Sequence, residues 1–102
     1  MQIRQTVDGS STRLFLEGRF DFHSHRDFRA ASEAVLQDNK TREIIVDFSK
    51  VDYLDSSALG MLLLLRERAE TAGKLVVLAA LQGTAKQVLE VANFGRLFTF
   101  RN

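Results

Sequence analysis

The stretch Asp55-Ser56-Ser57-Ala58-Leu59-Gly60 lies where an apolar strand ends and an apolar helix begins. Residues 44–48, Ile-Ile-Val-Asp-Phe, form the strand, and the helix is predicted from Ala58 to Ala72. A serine at a helix start commonly caps the free backbone N–H groups of the first turn. The same place is electropositive, so a hydroxyl there can also accept a phosphoryl group. The stretch therefore leaves two roles open for its serines: one can cap the helix while the other is presented to a kinase.

Strand patterns lie on both sides of this stretch. An Asp-Gly turn at residues 8–11 joins two alternating segments and predicts a β-hairpin. The continuous apolar runs in residues 43–48 and 74–79 are typical of strands that are buried on both faces. The predicted strands are Gln2–Val7, Thr12–Glu17, Glu43–Phe48, Lys74–Ala79 and Leu97–Phe100.

Helix patterns separate these strands. Ser24 followed by Asp27 resembles a capping box and predicts a helix to about Leu36, and Thr84 with Gln87 predicts the start of a third helix. Their apolar residues recur at helical spacing, at Phe28, Ala31 and Val35 in the first and at Ala85, Val88, Leu89 and Ala92 in the third. The alternation predicts one α/β domain over residues 1–102. Its sheet is mixed but mostly parallel, with an N-terminal antiparallel hairpin and right-handed crossover helices.

Composition excludes several classes of function. A net charge of +1, from 14 basic and 13 acidic residues, gives no electrostatic basis for direct binding of nucleic acid. The chain has no cysteine, which excludes disulfides and thiol chemistry. The first residues show no signal-peptide core, and the longest apolar run, residues 61–65, is far shorter than the roughly 20 residues of a membrane span. We therefore expect a cytoplasmic protein without membrane partners.

Enzyme and cofactor patterns are equally weak. His23 and His25 have no third ligand nearby, so we expect no metal site. Ser56 lacks the Gly-x-Ser-x-Gly elbow of a hydrolase, and the six glycines form no phosphate-binding loop. An acidic pair after the first strand, which a response-regulator receiver needs, is also absent, so Asp55 is not expected to be a phospho-aspartate. We therefore expect no catalytic residues and no cofactor.

The second helix carries more apolar surface than one buried face requires. At 100° per residue, Ala58, Leu62, Leu65, Ala69 and Ala72 form one core stripe, and Gly60, Glu67 and Thr71 mark the opposite side. Leu63 and Leu64 flank that opposite side, on the same half of the helix as Ser56. Two interpretations are open: neighbouring loops cover the two leucines, or they form a partner-docking patch rimmed by Arg66, Glu67 and Arg68. In the second case Gly60 permits close approach of the partner.

Residues 51–60, Val-Asp-Tyr-Leu-Asp-Ser-Ser-Ala-Leu-Gly, resemble the signature of the STAS domain of bacterial anti-sigma factor antagonists. Three further stretches resemble that family in the same order, namely Leu16–Asp21, Gly73–Leu78 and Val91–Phe98, so that the resemblance covers essentially the whole chain. Two departures are Arg19, where the family has an acidic residue, and Ala58, where many relatives have glycine.

The resemblance implies a single STAS domain that acts by partner switching. In that family the unphosphorylated antagonist binds an anti-sigma factor and so releases a sigma factor. The anti-sigma factor is often itself a serine kinase that phosphorylates and inactivates the antagonist, and a phosphatase removes the phosphate again. The family's acceptor is the residue directly after the Asp, which is Ser56 here, with Ser57 as second choice. Asp21 either helps to position the kinase or is a turn carboxylate. The resemblance and the exposed side of the second helix together predict these partner-binding residues: Asp21, Asp55, Ser57, Gly60, Leu63, Leu64 and Glu67.

Two other STAS activities remain open alternatives. One is a scaffolding module that assembles with copies of itself in a larger signalling complex, and the other is a domain that binds a nucleotide or another small ligand. For the antagonist we expect a monomer or a weak dimer.

Overall fold

The computed structural model describes residues 1–102 as five strands and three α-helices in the predicted alternating order. A short 3₁₀ turn at Phe22–Ser24 precedes the first helix, and another at Phe94–Arg96 precedes the last strand. The strands are β1 (Gln2–Asp8), β2 (Ser11–Phe20), β3 (Glu43–Leu54), β4 (Leu75–Ala79) and β5 (Thr99–Arg101). The helices are α1 (His25–Leu36), α2 (Ser56–Thr71) and α3 (Gly83–Val91).

The sheet has the order β1-β2-β3-β4-β5. The β1–β2 pair is antiparallel, whereas β2–β3, β3–β4 and β4–β5 are parallel. Gly9 and Ser10 form the hairpin turn, and Gly9 has φ +61°, a conformation that glycine adopts without steric cost. The mixed, mostly parallel sheet with an N-terminal antiparallel hairpin is therefore confirmed.

All three helices pack on one face of the sheet. The main core of 21 buried residues combines alternate residues of β3 and β4 with apolar residues of α1, α2 and α3. Ile44, Val46 and Phe48 face the helices from β3, and Leu62 and Leu89 meet them from α2 and α3. The strands and the helices contribute about equally to this core, in which α2 packs against α1 and β4 and α3 packs against β3.

The opposite face of the sheet carries a second, smaller core of Ile45, Val77 and Ala79. No helix contributes to this cluster. Instead, side chains of neighbouring strands lie over it in two ion pairs, Arg13–Asp47 at 2.8 Å and Arg101–Glu43 at 3.0 Å. The prediction that these central strands are buried on both faces is confirmed, but charged side chains cover one of the faces.

Two strands run further than the apolar pattern indicated. β3 continues past Phe48 to Leu54, and β2 continues to Phe20 beside it, with shifts in register between the two strands. The polar residues Ser49 and Lys50 end the apolar run, but they do not end the backbone pairing. This two-stranded extension passes beyond the end of β4 and carries the start of α2.

The predicted last strand, Leu97–Phe100, is shifted in the structure to Thr99–Arg101. Leu97 closes the preceding 3₁₀ turn, with its N–H donating to the Phe94 carbonyl oxygen at 3.0 Å. The ring of Phe98 stacks on Phe94 with 5.3 Å between ring centroids. These local contacts hold the segment in a turn that its apolar composition does not reveal.

Three details of the helix predictions are wrong. Ser24 makes no cap bond to α1, because its hydroxyl takes part in a capping box with Asp21 that opens the preceding 3₁₀ turn. Thr84 lies inside α3, which begins at Gly83 without a side-chain cap. Ala72 is exposed at the C-terminal end of α2, while Met61 takes a place in the core.

Candidate functional site

The carboxyl ends of β2 and β3 bring two aspartates to one edge of the sheet. The last residues of these parallel strands, Phe20 and Leu54, are paired in register, and Asp21 and Asp55 follow them directly. The backbone N–H of Asp55 donates to the carbonyl oxygen of Phe20 at 3.3 Å, which holds the two segments side by side. The two carboxylates therefore lie at the same end of the sheet.

Asp55 is the cap of α2. Its backbone is extended, with φ −113°, and its Oδ1 accepts a hydrogen bond from the backbone N–H of Ala58 at 3.1 Å. Its Oδ2 accepts a second bond, from the backbone N–H of Phe22 at 3.3 Å. One carboxylate therefore closes the first turn of α2 and ties it to the 3₁₀ turn that follows β2. A capping role for either serine is wrong.

Ser56 and Ser57 are the first two residues of α2. Ser56 is exposed and Ser57 is half-buried, and neither hydroxyl makes a hydrogen bond within the chain. The helix starts beneath them with its free N–H groups, which favour a negative charge at this end. The Ser56 hydroxyl is thus accessible and is not needed to close the helix.

Arg19 and Tyr53 form a contact beside the site that was not predicted from the sequence. These two residues are paired across β2 and β3, and the guanidinium of Arg19 lies 4.0 Å from the centre of the Tyr53 ring. The Nε of Arg19 is also 3.4 Å from Oδ2 of Asp21, whose Oδ1 accepts from the backbone N–H of His23 at 2.9 Å. The available signal was the departure of Arg19 from the acidic residue of the family pattern.

The outer face of α2 follows the predicted helical phase. Leu62 and Leu65 are almost completely buried, whereas Leu63 and Leu64 keep 40% and 42% of their surface exposed. Gly60 and Glu67 are exposed between them, and a Cβ at Gly60 would meet no neighbouring atom. Neighbouring loops therefore leave both leucines open, and a smooth, partly apolar surface extends along α2 from Ser56.

Both flanks of this surface carry further apolar residues. Leu64 borders a narrow groove between α1 and α2, whose floor includes Phe28 and Met61. On the other flank, Leu59 meets α3 in a shallow depression with Val88, Ala92 and Val91. Val91 is 86% exposed, although its neighbours Val88 and Ala92 continue the core stripe of α3. No residue of α3 was predicted from the sequence to belong to the site.

The arginines on the rim of α2 are engaged within the chain. Arg66 donates from Nε to the carbonyl oxygen of Leu97 at 2.7 Å and pairs with Glu70 at 3.0 Å. Arg68 pairs with Glu33 on α1 at 3.1 Å. Hydrogen bonds from Arg29 and Arg68 hold the pKa of Glu33 below its usual value. The bonds of Arg66 to Leu97 and of Arg68 to Glu33 therefore link α2 to the segment before β5 and to α1.

Neither a cluster of metal ligands nor a membrane-spanning helix is present in the structure. His, Asp and Glu side chains nowhere gather in a group of three or more that could hold a metal ion. None of the helices has the length and apolarity required to cross a membrane.

Comparison with known proteins relates this geometry to one family. The family model described as "Mlab, STAS domain" matches residues 3–99. A STAS-domain containing protein of Pseudomonas aeruginosa (strain UCBPP-PA14) is 42% identical over 93 residues, which cover 91% of this chain and 90% of that protein.

Solved structures share the fold at low sequence identity. A putative anti-sigma factor antagonist from Thermotoga maritima superposes with a TM-score of 0.88 and 16% identity, over 98% of this chain and 86% of the other. The anti-sigma factor antagonist SpoIIAA in its unphosphorylated form gives a TM-score of 0.74 and 19% identity, over 99% of this chain and 87% of the other. Together with the family model and the Pseudomonas relative, these matches show that the chain belongs to the STAS domain family.

Proposed function

We propose that this STAS domain is an anti-sigma factor antagonist switched by phosphorylation of Ser56. Its unphosphorylated form binds an anti-sigma factor, a serine protein kinase or one protein that is both, and so releases a sigma factor. Phosphorylation ends the complex, and a protein phosphatase restores it. The domain itself acts by binding and performs no catalysis.

The observation that carries this proposal is the cap formed by Asp55. Because Asp55 binds the N–H of Ala58, the exposed hydroxyl of Ser56 takes no part in closing α2. A kinase can therefore modify it without removing a hydrogen bond from the fold. The second acceptor in rank is Ser57, which is half-buried and so less accessible. SpoIIAA, whose fold this chain shares, has been solved in both its unphosphorylated and its phosphorylated forms.

The expected effect of the phosphate follows from charge. A phosphoserine adds about −1.5 to −2 charges and three acceptor oxygens. At the first position of α2 the helix dipole and the free N–H groups tolerate this charge, so the fold changes little. A partner that packs on α2 meets the same charge beside the carboxylate of Asp55. Phosphorylation should therefore weaken binding far more than it changes stability.

The docking surface of this proposal extends from the two strand ends along α2. Leu63 and Leu64 are its apolar anchors, and Gly60 between Ser56 and Leu64 allows a partner backbone to approach closely. Glu67 lies on the same exposed side. The further members are Asp21, Asp55 and Ser57, next to the phosphoacceptor. A phosphate on Ser56 would then lie at the edge of the surface that the partner contacts, where its charge can weaken the complex.

Phosphorylation with purified candidate kinases and ATP, followed by peptide mass spectrometry, tests the acceptor. We expect the phosphate on Ser56 in the unmodified chain and in Ser57→Ala, and its loss in Ser56→Ala. Phosphate that persists in Ser56→Ala would contradict the assignment.

Capture of a partner with two bait variants tests the switch. An anti-sigma factor or kinase should bind Ser56→Ala and fail to bind Ser56→Asp. Ser10→Asp is the matched control, because Ser10 is an exposed turn residue at the opposite end of β2. Equal binding of the same partner to Ser56→Ala and Ser56→Asp would contradict a charge switch at this residue.

A further inference from the structure

β1 is a seven-residue edge strand whose outer side pairs with no other strand. β1 is the first strand of the sheet and pairs with β2 alone, in one continuous register from Gln2 to Asp8. It contains no proline and no bulge, two of the devices with which proteins commonly blunt such edges, although it carries the charged residues Arg4 and Asp8. Val7 is 60% exposed on it. This edge can accept another strand.

The direction of the free backbone groups follows from the hairpin. The two-residue turn at Gly9 and Ser10 is closed by the pair Asp8–Ser11. Hydrogen-bonded and non-hydrogen-bonded pairs alternate along an antiparallel ladder. Residues of β1 with even numbers therefore bond to β2, and the N–H and C=O groups of Ile3, Gln5 and Val7 point outwards.

The side chains of β1 carry two charges without partners. Arg4 and Asp8 lie on the sheet face opposite the helices, where Arg4 stacks 5.0 Å from the centre of the Phe15 ring. None of the six ion pairs of the chain involves either residue, and neither side chain makes a hydrogen bond. They are spaced symmetrically about Thr6.

This symmetry makes the edge complementary to itself. When two copies of β1 pair antiparallel about a two-fold axis at Thr6, Arg4 of each copy faces Asp8 of the other, and the two threonines face each other. These are non-hydrogen-bonded pairs, in which opposing side chains are closest, and opposite charges and Thr–Thr pairs both stabilise such positions. Gln5 and Val7 then exchange backbone hydrogen bonds across the axis.

Neighbouring registers fit less well. A two-fold axis at Gln5 places Arg4 opposite Thr6, and an axis at Arg4 places two arginines opposite each other. The Thr6 register alone directly matches both charges with opposite ones.

We propose that two copies of this chain associate through β1 in this register, forming a continuous ten-stranded sheet with all helices on one face. The pairing involves about five residues from each strand and little apolar surface, so it is a weak dimer. The two-fold arrangement is isologous and closes at two copies. The association does not depend on Ser56 or on the proposed switch.

A charge-swap series followed by sedimentation velocity and light scattering over micromolar to millimolar concentration tests this surface. The unmodified chain should shift from monomer towards dimer as its concentration rises. Arg4→Glu and Asp8→Arg each place like charges opposite each other at both symmetric positions. Each variant should raise the dimer dissociation constant by about tenfold or more, because several cross-strand terms of 0.2–1 kcal/mol change sign together.

The double variant Arg4→Glu/Asp8→Arg restores opposite charges and should recover dimerisation. Arg96→Glu is the matched control, because Arg96 is exposed, unpaired and distant in sequence from β1. Melting curves for every variant separate a lost interface from a lost fold. A chain that stays monomeric at millimolar concentration would overturn the proposal. So would single swaps that dimerise like the unmodified chain, or a folded double variant that does not recover.

Discussion

The clearest physical test of the site is Asp55→Ala, because this carboxylate makes two hydrogen bonds to separate parts of the backbone. Removal of an N-cap costs about 0.5–2 kcal/mol, typically about 1 kcal/mol. The bond from the Phe22 N–H adds a net contribution at the lower end of about 0.5–1.5 kcal/mol, because that segment is exposed and water can replace the acceptor. We therefore expect Asp55→Ala to lower the free energy of unfolding by about 1–2.5 kcal/mol.

Urea and thermal denaturation of three variants measure this loss. For a domain of this size, about 2 kcal/mol corresponds to a fall in melting temperature of about 8 °C or more. Asp55→Asn keeps one acceptor oxygen for the cap and loses the second bond, so its loss should be smaller than that of Asp55→Ala. Asp52→Ala removes the same charge from an exposed position of β3 and should change stability by less than about 0.5 kcal/mol. An Asp55→Ala variant as stable as Asp52→Ala would refute the capping argument.

Four further variants test the docking surface, the core beneath it and the open sheet face. Ser56→Asp should change the free energy of unfolding by only about 0.5 kcal/mol or less, since a carboxylate suits a helix N-terminus, and a large fall in melting temperature would make Ser56 structural. Leu62→Ala should cost about 2–5 kcal/mol in denaturant melts, whereas the exposed Leu63→Ala should cost much less and still weaken the partner complex. Burial acts to raise the pKa of Asp47, but hydrogen bonds from residue 49 and from Arg13 outweigh it and hold the pKa below its ordinary 3.8. The Asp47 carboxylate therefore stabilises the fold above pH 3.8, and this contribution is lost as the pH falls towards the lower folded-state pKa. Arg13→Gln should flatten that acid limb in pH-dependent unfolding, and an unchanged limb would contradict the role of the ion pair.

The sequence predicted the order of the elements because apolar residues follow helical spacing in α1 and α3 and form continuous runs in β3 and β4. The helical period also sets the phase of α2. The same period separated Leu62 and Leu65 from Leu63 and Leu64, and the structure confirms that separation. Helix phase depends on the chain itself and needs no knowledge of distant contacts. Met61 was missed because it lies at the margin of the core stripe, where packing against α1 decides its burial.

The caps could not be predicted in the same way. Ser, Thr and Asp are all good caps, and several of them stand together at each helix start. At α2 the choice depends on which residue keeps an extended backbone, and Asp55 does so because its own N–H bonds to Phe20 on the neighbouring strand. At α1 the hydroxyl of Ser24 accepts a hydrogen bond from the backbone N–H of Asp21 and donates one to the carbonyl oxygen of Arg19. Tertiary contacts, invisible in a local pattern, decide both cases.

The position of the cap also explains how a modifiable serine can stand at a helix start without endangering the fold. If the Ser56 hydroxyl were the cap of α2, its phosphorylation would remove that cap hydrogen bond. The modification would then destabilise the fold as well as change partner binding. Asp55 performs that task with one oxygen and secures the end of β2 through Phe22 with the other. The structural carboxylate and the accessible hydroxyl are adjacent in sequence but have separate contacts. Charge added at Ser56 therefore acts mainly on whatever approaches α2 from outside, which is the property that a partner switch needs.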